Sequence, residues 1–122
     1  MAIDPIKRRI RAARYREKFP ALCRARVRRR DADVKLLVLS HYGPDHKLRC
    51  SWPDCEVIDV DMLSIDHVAD NGADHRKNSI GGHGGGQFYK WLINNEFPAG
   101  YQTLCLNHQF KKELMRRRNA QR

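Results

Sequence analysis

The placement of the cysteines constrains this chain more than its apolar residues do. Cys50 and Cys55 bracket four residues, and Cys105 and His108 bracket two. A C-x4-C pair and a C-x2-H pair are two knuckles of the kind that close a tetrahedral zinc site. All four positions would then be protein ligands, so the zinc would be structural. The alternative is three ordinary buried cysteines and a surface histidine. The need for a staple is real, because only 41% of the 122 residues are hydrophobic while 31% are charged. Such a composition predicts one modest core with polar appendages, and a metal can supply the folding energy that core lacks. A disulfide framework is not expected in an intracellular chain. Cys23 lies in a basic helical stretch and reads as a bystander.

Charge is distributed unevenly. Residues 1–30 carry 12 Lys/Arg against Asp4 and Glu17, a net of +10, and residues 111–122 carry a net of +5. The 80 residues between them carry a net of −5. Two basic arms therefore flank an acidic middle. Basic arms suit a polyanion, since each neutralised phosphate releases counterions. The acidic middle suits a cation. Arginine outnumbers lysine 16 to 8, and its planar fork matches phosphate oxygens. Arg8, Arg9, Arg26, Arg28, Arg29, Arg76, Arg116 and Arg117 are the expected nucleic-acid contacts. The bland reading of the same arms is a solvated helix surface. No apolar run approaches the roughly 20 residues of a membrane helix. "MAIDPIKRRI" lacks the apolar centre of a secretory signal. A soluble intracellular, cytoplasmic protein is expected.

The pattern predicts α+β structure. Ile3, Ile6, Ile10 and Ala13 have helical spacing over 3–18, and Pro20 should separate that helix from a second over about 21–40. Gly43 is a plausible stop. The segment 44–56 reads as a knuckle, with a short strand around Met62–Ile65 and a second near Val57–Val60. Six glycines in 69–86 predict an exposed loop. A helix with an apolar face of Phe88, Trp91, Leu92 and Phe97 should follow. Then come a turn at "PAG", a strand at "YQTLC", and a last helix carrying Leu106, Phe110 and Leu114 on one side. The division expected is a basic helical arm, 1–43, and a second domain, 44–122.

Three Asp-His pairs bear on chemistry: Asp45-His46, Asp66-His67 and Asp74-His75. Cutting a phosphodiester needs a group to take a proton from water and a cation to stabilise the leaving oxygen. Asp66-His67 follows the apolar "MLSI", so a strand can fix it. His67 could take the proton, and Asp66 could hold a hard cation such as Mg²⁺. A satisfied structural pair is the competing reading. Asp45-His46, beside Pro44, reads as a turn. His41 near a helix end suits the helix dipole. His83 lies among glycines with nothing to aim it.

The segments "VLSHYG", "IDHVADNGADHR" and "FYKWLINNEFPAGYQTLC", with "LNHQFKK" behind them, resemble the His-Asn-His (HNH) endonucleases. The zinc-containing phage members are the closer likeness, and it spans most of the chain. The resemblance implies a ββα-metal core with a structural zinc site, preceded by basic N-terminal helices. It implies His67 as the general base and Asp66 as a ligand of a catalytic Mg²⁺ or Mn²⁺. It implies Cys50, Cys55, Cys105 and His108 as the Zn²⁺ ligands. The family position directly after the last zinc ligand, usually His or Asn, is Gln109 here, with Asn107 as the nearby substitute. The family's middle Asn would fall near Gly100. His75, in "GADHR", would assist at the phosphate or the metal.

The function implied is metal-dependent cleavage of double-stranded DNA, by nicking or by cutting both strands. A homodimer would suit the latter. Two alternatives stand beside it: a zinc-stabilised nucleic-acid-binding module that does not cut, and an accessory nuclease of phage DNA packaging that works with a terminase partner.

Overall fold

The structure is a computed structural model that describes residues 4–69 and 86–121. It contains four α-helices and a two-stranded antiparallel sheet among those residues. The fold class is α+β. The chain divides into two compact units, Met1–Asp33 and Val34–Arg122.

The first unit is helical. Helix α1 spans Pro5–Lys18, opened by Asp4, whose side chain accepts from the Ile6 N–H at 2.8 Å. A side-chain acceptor at this position satisfies one of the orphan donors of the first turn, and Pro5 supplies a residue with no N–H to satisfy. The helix ends where Pro20 disfavours helical geometry at the residue before it; Phe19 sits at φ −128°, ψ 60°. Helix α2, Pro20–His41, then starts on that proline. Nothing in α1 is buried. The boundary expected at 43/44 falls instead inside α2. The reason is that Val34, Val38 and Leu39, near the C-terminal end of α2, belong to the core of the second unit.

The second unit is built on the strand pair. Strand β1 is Leu63–His67 and β2 is Tyr101–Cys105, in register Leu63↔Cys105, Ile65↔Thr103, His67↔Tyr101. Helix α3, Gly86–Asn94, precedes β2, and helix α4, Leu106–Ala120, continues directly from it. Two apolar clusters form. One holds Leu39, Cys50, Leu63, Leu104 and Cys105; the other holds Val38, Phe88 and Leu92. Adjacent residues of α2 thus enter different clusters, and Ile65 touches both. Burying each such leucine or phenylalanine is worth about 1.5–3 kcal/mol.

The outer edge of β2 is covered by chain. Thr103 N–H donates to the Tyr42 carbonyl at 3.2 Å, and Ser51 N–H donates to the Thr103 carbonyl at 2.8 Å. The fully buried Thr103 hydroxyl donates to the Leu39 carbonyl at 2.7 Å, tying β2 to the end of α2. Gly43 is needed there for space. A Cβ on it would stand 1.8 Å from the Lys47 carbonyl oxygen.

Two expectations fail in this unit. No strand forms at Val57–Val60. The Val57 carbonyl instead accepts from Cys50 N–H, and Val60–Met62 is a 3₁₀ turn leading into β1. The last helix buries its apolar stripe only at Leu114, which is half-buried. Leu106 and Phe110 are 50% and 63% exposed, while His108, Gln109 and Lys112 are all at least half-buried. Polar bonds to the strands, described below, decide which face of α4 turns inward. No described helix is long and apolar enough to cross a membrane.

Two candidate metal centres

Cys50, Cys55, Cys105 and His108 come together, with their ligand atoms all within 4.8 Å of one another. Cys50 and Cys55 sit on the knuckle before β1. Its turn is closed by Cys55 N–H donating to the Trp52 carbonyl at 3.1 Å, with Asp54 at φ 64°. Cys105 ends β2 and serves as the N-cap of α4, which puts His108 one turn inside the helix beside it. Cys105 Sγ lies 3.2 Å from His108 Nδ1, Cys50 Sγ lies 3.6 Å from the same nitrogen, and Cys55 Sγ lies 4.0 Å from Cys105 Sγ. Ligands placed tetrahedrally around zinc stand about 3.3–3.8 Å apart. These four residues could therefore hold a metal ion such as zinc, with no position left open. The Trp52 ring stacks on His108 at 4.8 Å and 5°, which fixes the imidazole plane.

The protonation of the cluster follows from its surroundings. Burial pushes the Cys50 thiol up to about 11, against the pull of the Cys105 and Trp52 backbone N–H groups. Burial also raises Cys105, but there the His108 N–H, the Cys50 and Cys55 thiols and the Asn107 N–H outweigh it, and the net direction is down. The Cys105 N–H donates to Cys50 Sγ at 3.2 Å, a bond that favours a thiolate. Binding a metal must displace protons from such a set.

The second centre lies at the end of β1. Asp66 and His67 are consecutive, so strand alternation sends them to opposite faces of the sheet. The Asp66 side faces α4. Lys112 Nζ donates to Asp66 Oδ2 at 2.7 Å, to the His67 carbonyl at 2.6 Å and to the Val68 carbonyl at 3.3 Å. Gln102, paired with Asp66 across the sheet, donates to the same Oδ2 at 3.0 Å. His67 faces the aromatic cluster. Its ring stacks on Phe88 at 5.5 Å and 13°, and meets Tyr101 edge-on at 4.9 Å.

Gln109 turns its amide to Ser64 Oγ and to the Leu104 carbonyl, the latter at 3.1 Å. Ser64 and Asp66 share a strand face, so Gln109 sits on the Asp66 side but is engaged further along β1. Asn107 is exposed on the first turn of α4. His75 and Arg76 lie outside the described residues. On α4, Arg116 and Arg117 share Glu113, with bonds of 2.6–3.0 Å, and these hold its carboxyl down to about 2. In the first unit, Arg8 and Arg26 line an open groove of about 540 Å³ together with Arg11, Arg16 and Arg30. The Arg26 guanidinium lies over the Tyr15 ring at 5.4 Å. Arg9, Arg28 and Arg29 are exposed.

Sequence reasoning overlooked Lys112 and Gln102. Lys112 stands three residues after Gln109, on the same helix face, but it reads as one more base in "KKELMRRR". Gln102 becomes visible only once the strand register is known. Comparison of the chain with protein-family models, with curated proteins and with solved structures finds no match.

Proposed function

We propose that the chain is a metal-dependent DNA endonuclease of the HNH type, with a ββα-metal core. One observation carries the reading: the sheet pairs the Asp66-His67 strand with the strand that runs, through Cys105 and His108, straight into α4. The order is strand, strand, helix, with the inward face of the helix against Asp66. The resemblance of the sequence supports it independently.

In this mechanism His67 takes the proton from the attacking water, and its packing against Phe88 and Tyr101 fixes the imidazole plane. The donor set suits a hard cation, because Lys112 already brings an ammonium against one carboxylate and two carbonyl oxygens there. Asp66 would hold Mg²⁺ or Mn²⁺, with Gln109 or Asn107 as the second protein ligand. When bound, the ion supplies charge stabilisation of the departing 3′ oxygen. Gln109 reaches such an ion only by leaving Ser64 and Leu104. The Cys3His cluster holds the knuckle to the start of α4 and is structural. The arginines of the first unit and of α4 bind phosphates, so affinity falls steeply with salt.

The test is supercoiled-plasmid cleavage with Mg²⁺ or Mn²⁺. Removing a general base costs roughly 10²–10⁴ in rate, so His67→Ala should drop by that factor. Equal rates in wild type and variant refute the mechanism. A second reading, a zinc-stabilised nucleic-acid-binding module, is favoured by the engagement of Asp66 with Lys112 and of Gln109 with Ser64. Salt-sensitive DNA binding with no cleavage in any divalent metal, alone or with a packaging partner, selects it.

A further inference from the structure

The Lys112 ammonium on α4 reaches back to the end of β1. It meets Asp66 Oδ2, the His67 carbonyl and the Val68 carbonyl at 2.7, 2.6 and 3.3 Å. Three oxygens converge on a group with three protons. The pair is largely sheltered, with side-chain exposures of 18% for Lys112 and 16% for Asp66. The two carbonyls belong to the residues where β1 ends, and the chain there is pinned by Val68 N–H donating to the Gly100 carbonyl at 3.0 Å. This is an oxygen cage shaped around a positive charge. Arg116 and Arg117, further along α4, are more exposed, at 49% and 63%, where they bond Glu113.

We propose that Lys112 is a competing cation, which keeps a divalent ion off Asp66 until a DNA phosphate draws the ammonium away. The inference rests on reading Asp66 as a divalent-ion ligand. Its physical basis is competition. An ammonium and a divalent ion on one carboxylate weaken each other's binding, because like charges close together in a sheltered site repel strongly. Lys112 carries its charge on a flexible four-carbon stem, so it can swing to a new anion without moving the helix. A phosphate brought to the mouth of this site offers that anion. Metal and DNA would then bind cooperatively, each favouring the state in which Lys112 has left Asp66. Lys112 is thus a positioning residue for the charge at the site, not a catalytic one.

The experiment is Mn²⁺ binding to the zinc-loaded full-length chain without DNA, read from the loss of the free-Mn²⁺ paramagnetic resonance signal. Lys112→Met should bind Mn²⁺ about tenfold more tightly than wild type, within the usual range of coupling between sites. Lys112→Arg, which keeps the charge, should stay close to wild type. Lys112→Gln, uncharged but still able to bond the carbonyls, should follow Lys112→Met and serves if that variant does not fold. In the His67→Ala background, Mn²⁺ should tighten binding of a short labelled duplex. Adding Lys112→Met should shrink that effect, screening by Mn²⁺ being common to both proteins. Unchanged or weaker Mn²⁺ binding in the two uncharged variants overturns the proposal, provided Asp66→Asn abolishes binding. Mn²⁺ binding that survives Asp66→Asn means instead that the ion is not held at Asp66, so the underlying reading fails.

Discussion

The two candidate centres share β2 and α4, yet they are built in different ways. At the Cys3His cluster the ligands converge from three segments, and each is held by something other than a metal. Cys50 is packed in the core, Cys105 caps a helix, and Trp52 flattens against His108. At Asp66 the proposed partners diverge. His67 goes to the aromatic side, Gln109 to Ser64, and Lys112 occupies the carboxylate. Soft ligands on a rigid frame leave few choices. A hard-cation site with one carboxylate depends on rotamers that nearby donors can capture. The first centre is therefore expected to serve stability and the second to respond to ligands.

The largest effect that separates them is metal removal. Structural zinc contributes on the order of 10 kcal/mol or more in small domains, comparable with the whole stability of one. Zinc chelation, or Cys105→Ser, should abolish cooperative unfolding of the Val34–Arg122 unit and the ordered Trp52–His108 stack. Thermal melts followed by circular dichroism and tryptophan fluorescence read both. Mg²⁺ depletion should leave the melt in place. Cys23→Ser, in the other unit, should do the same. A cooperative melt that persists after zinc removal would make the cluster dispensable and erase the contrast.

The same contrast explains what was legible in the sequence. The Cys/His cluster was readable because C-x4-C and C-x2-H are local, and the chemistry of thiols is scarce enough to be distinctive. The strand at "YQTLC" and the helices were readable from period and from Pro5, Pro20 and Gly43. The inward face of α4 was not. Leu106 and Phe110 have the right spacing for a core, but the bonds of Gln109 and Lys112 to the strands turn the polar face inward and leave those two outside. Polar bonds to the strands overrode an apolar stripe. Gln102 needed the register, and Val57 was taken by Cys50 before it could pair as a strand.

Thr103 lies on β2 between the two centres and tests how far the frame stands without either metal. Its buried hydroxyl is the donor to the Leu39 carbonyl at 2.7 Å. Thr103→Val keeps the shape and removes the donor, which leaves a buried carbonyl short of a partner. The cost should be about 1–3 kcal/mol, measured by denaturant unfolding. Zinc content should remain at one equivalent, because no ligand moves. Loss of zinc in this variant would mean that β2 is positioned by Thr103 more than by Cys105, and the two centres would no longer be separable.

The smallest effect distinguishes the aromatic side of the sheet from the zinc side by pH. Tyr42 donates its hydroxyl to the Pro98 carbonyl at 2.6 Å and meets Tyr101, the edge partner of His67. Burial, with the nearby Tyr101, pushes Tyr42 up to about 12, and burial also raises Tyr101 and Tyr89. A group whose folded value lies above its unfolded value stabilises the fold fully below the unfolded one, near 10 for tyrosine. That contribution is lost as pH rises from about 10 through 12, since the unfolded chain ionises first. In the zinc-loaded chain, where the thiols have already lost their protons, stability should accordingly be flat up to about pH 9.5 and decline above it, with tyrosinate absorbance lagging that of the unfolded chain. Tyr42→Phe removes the ionisable group along with its bond to Pro98. It should lower stability at neutral pH by roughly 1 kcal/mol and flatten the alkaline decline. An unchanged alkaline slope in Tyr42→Phe would assign the decline elsewhere, and the aromatic wall behind His67 would lose its claim to be the pH-sensitive half of the unit.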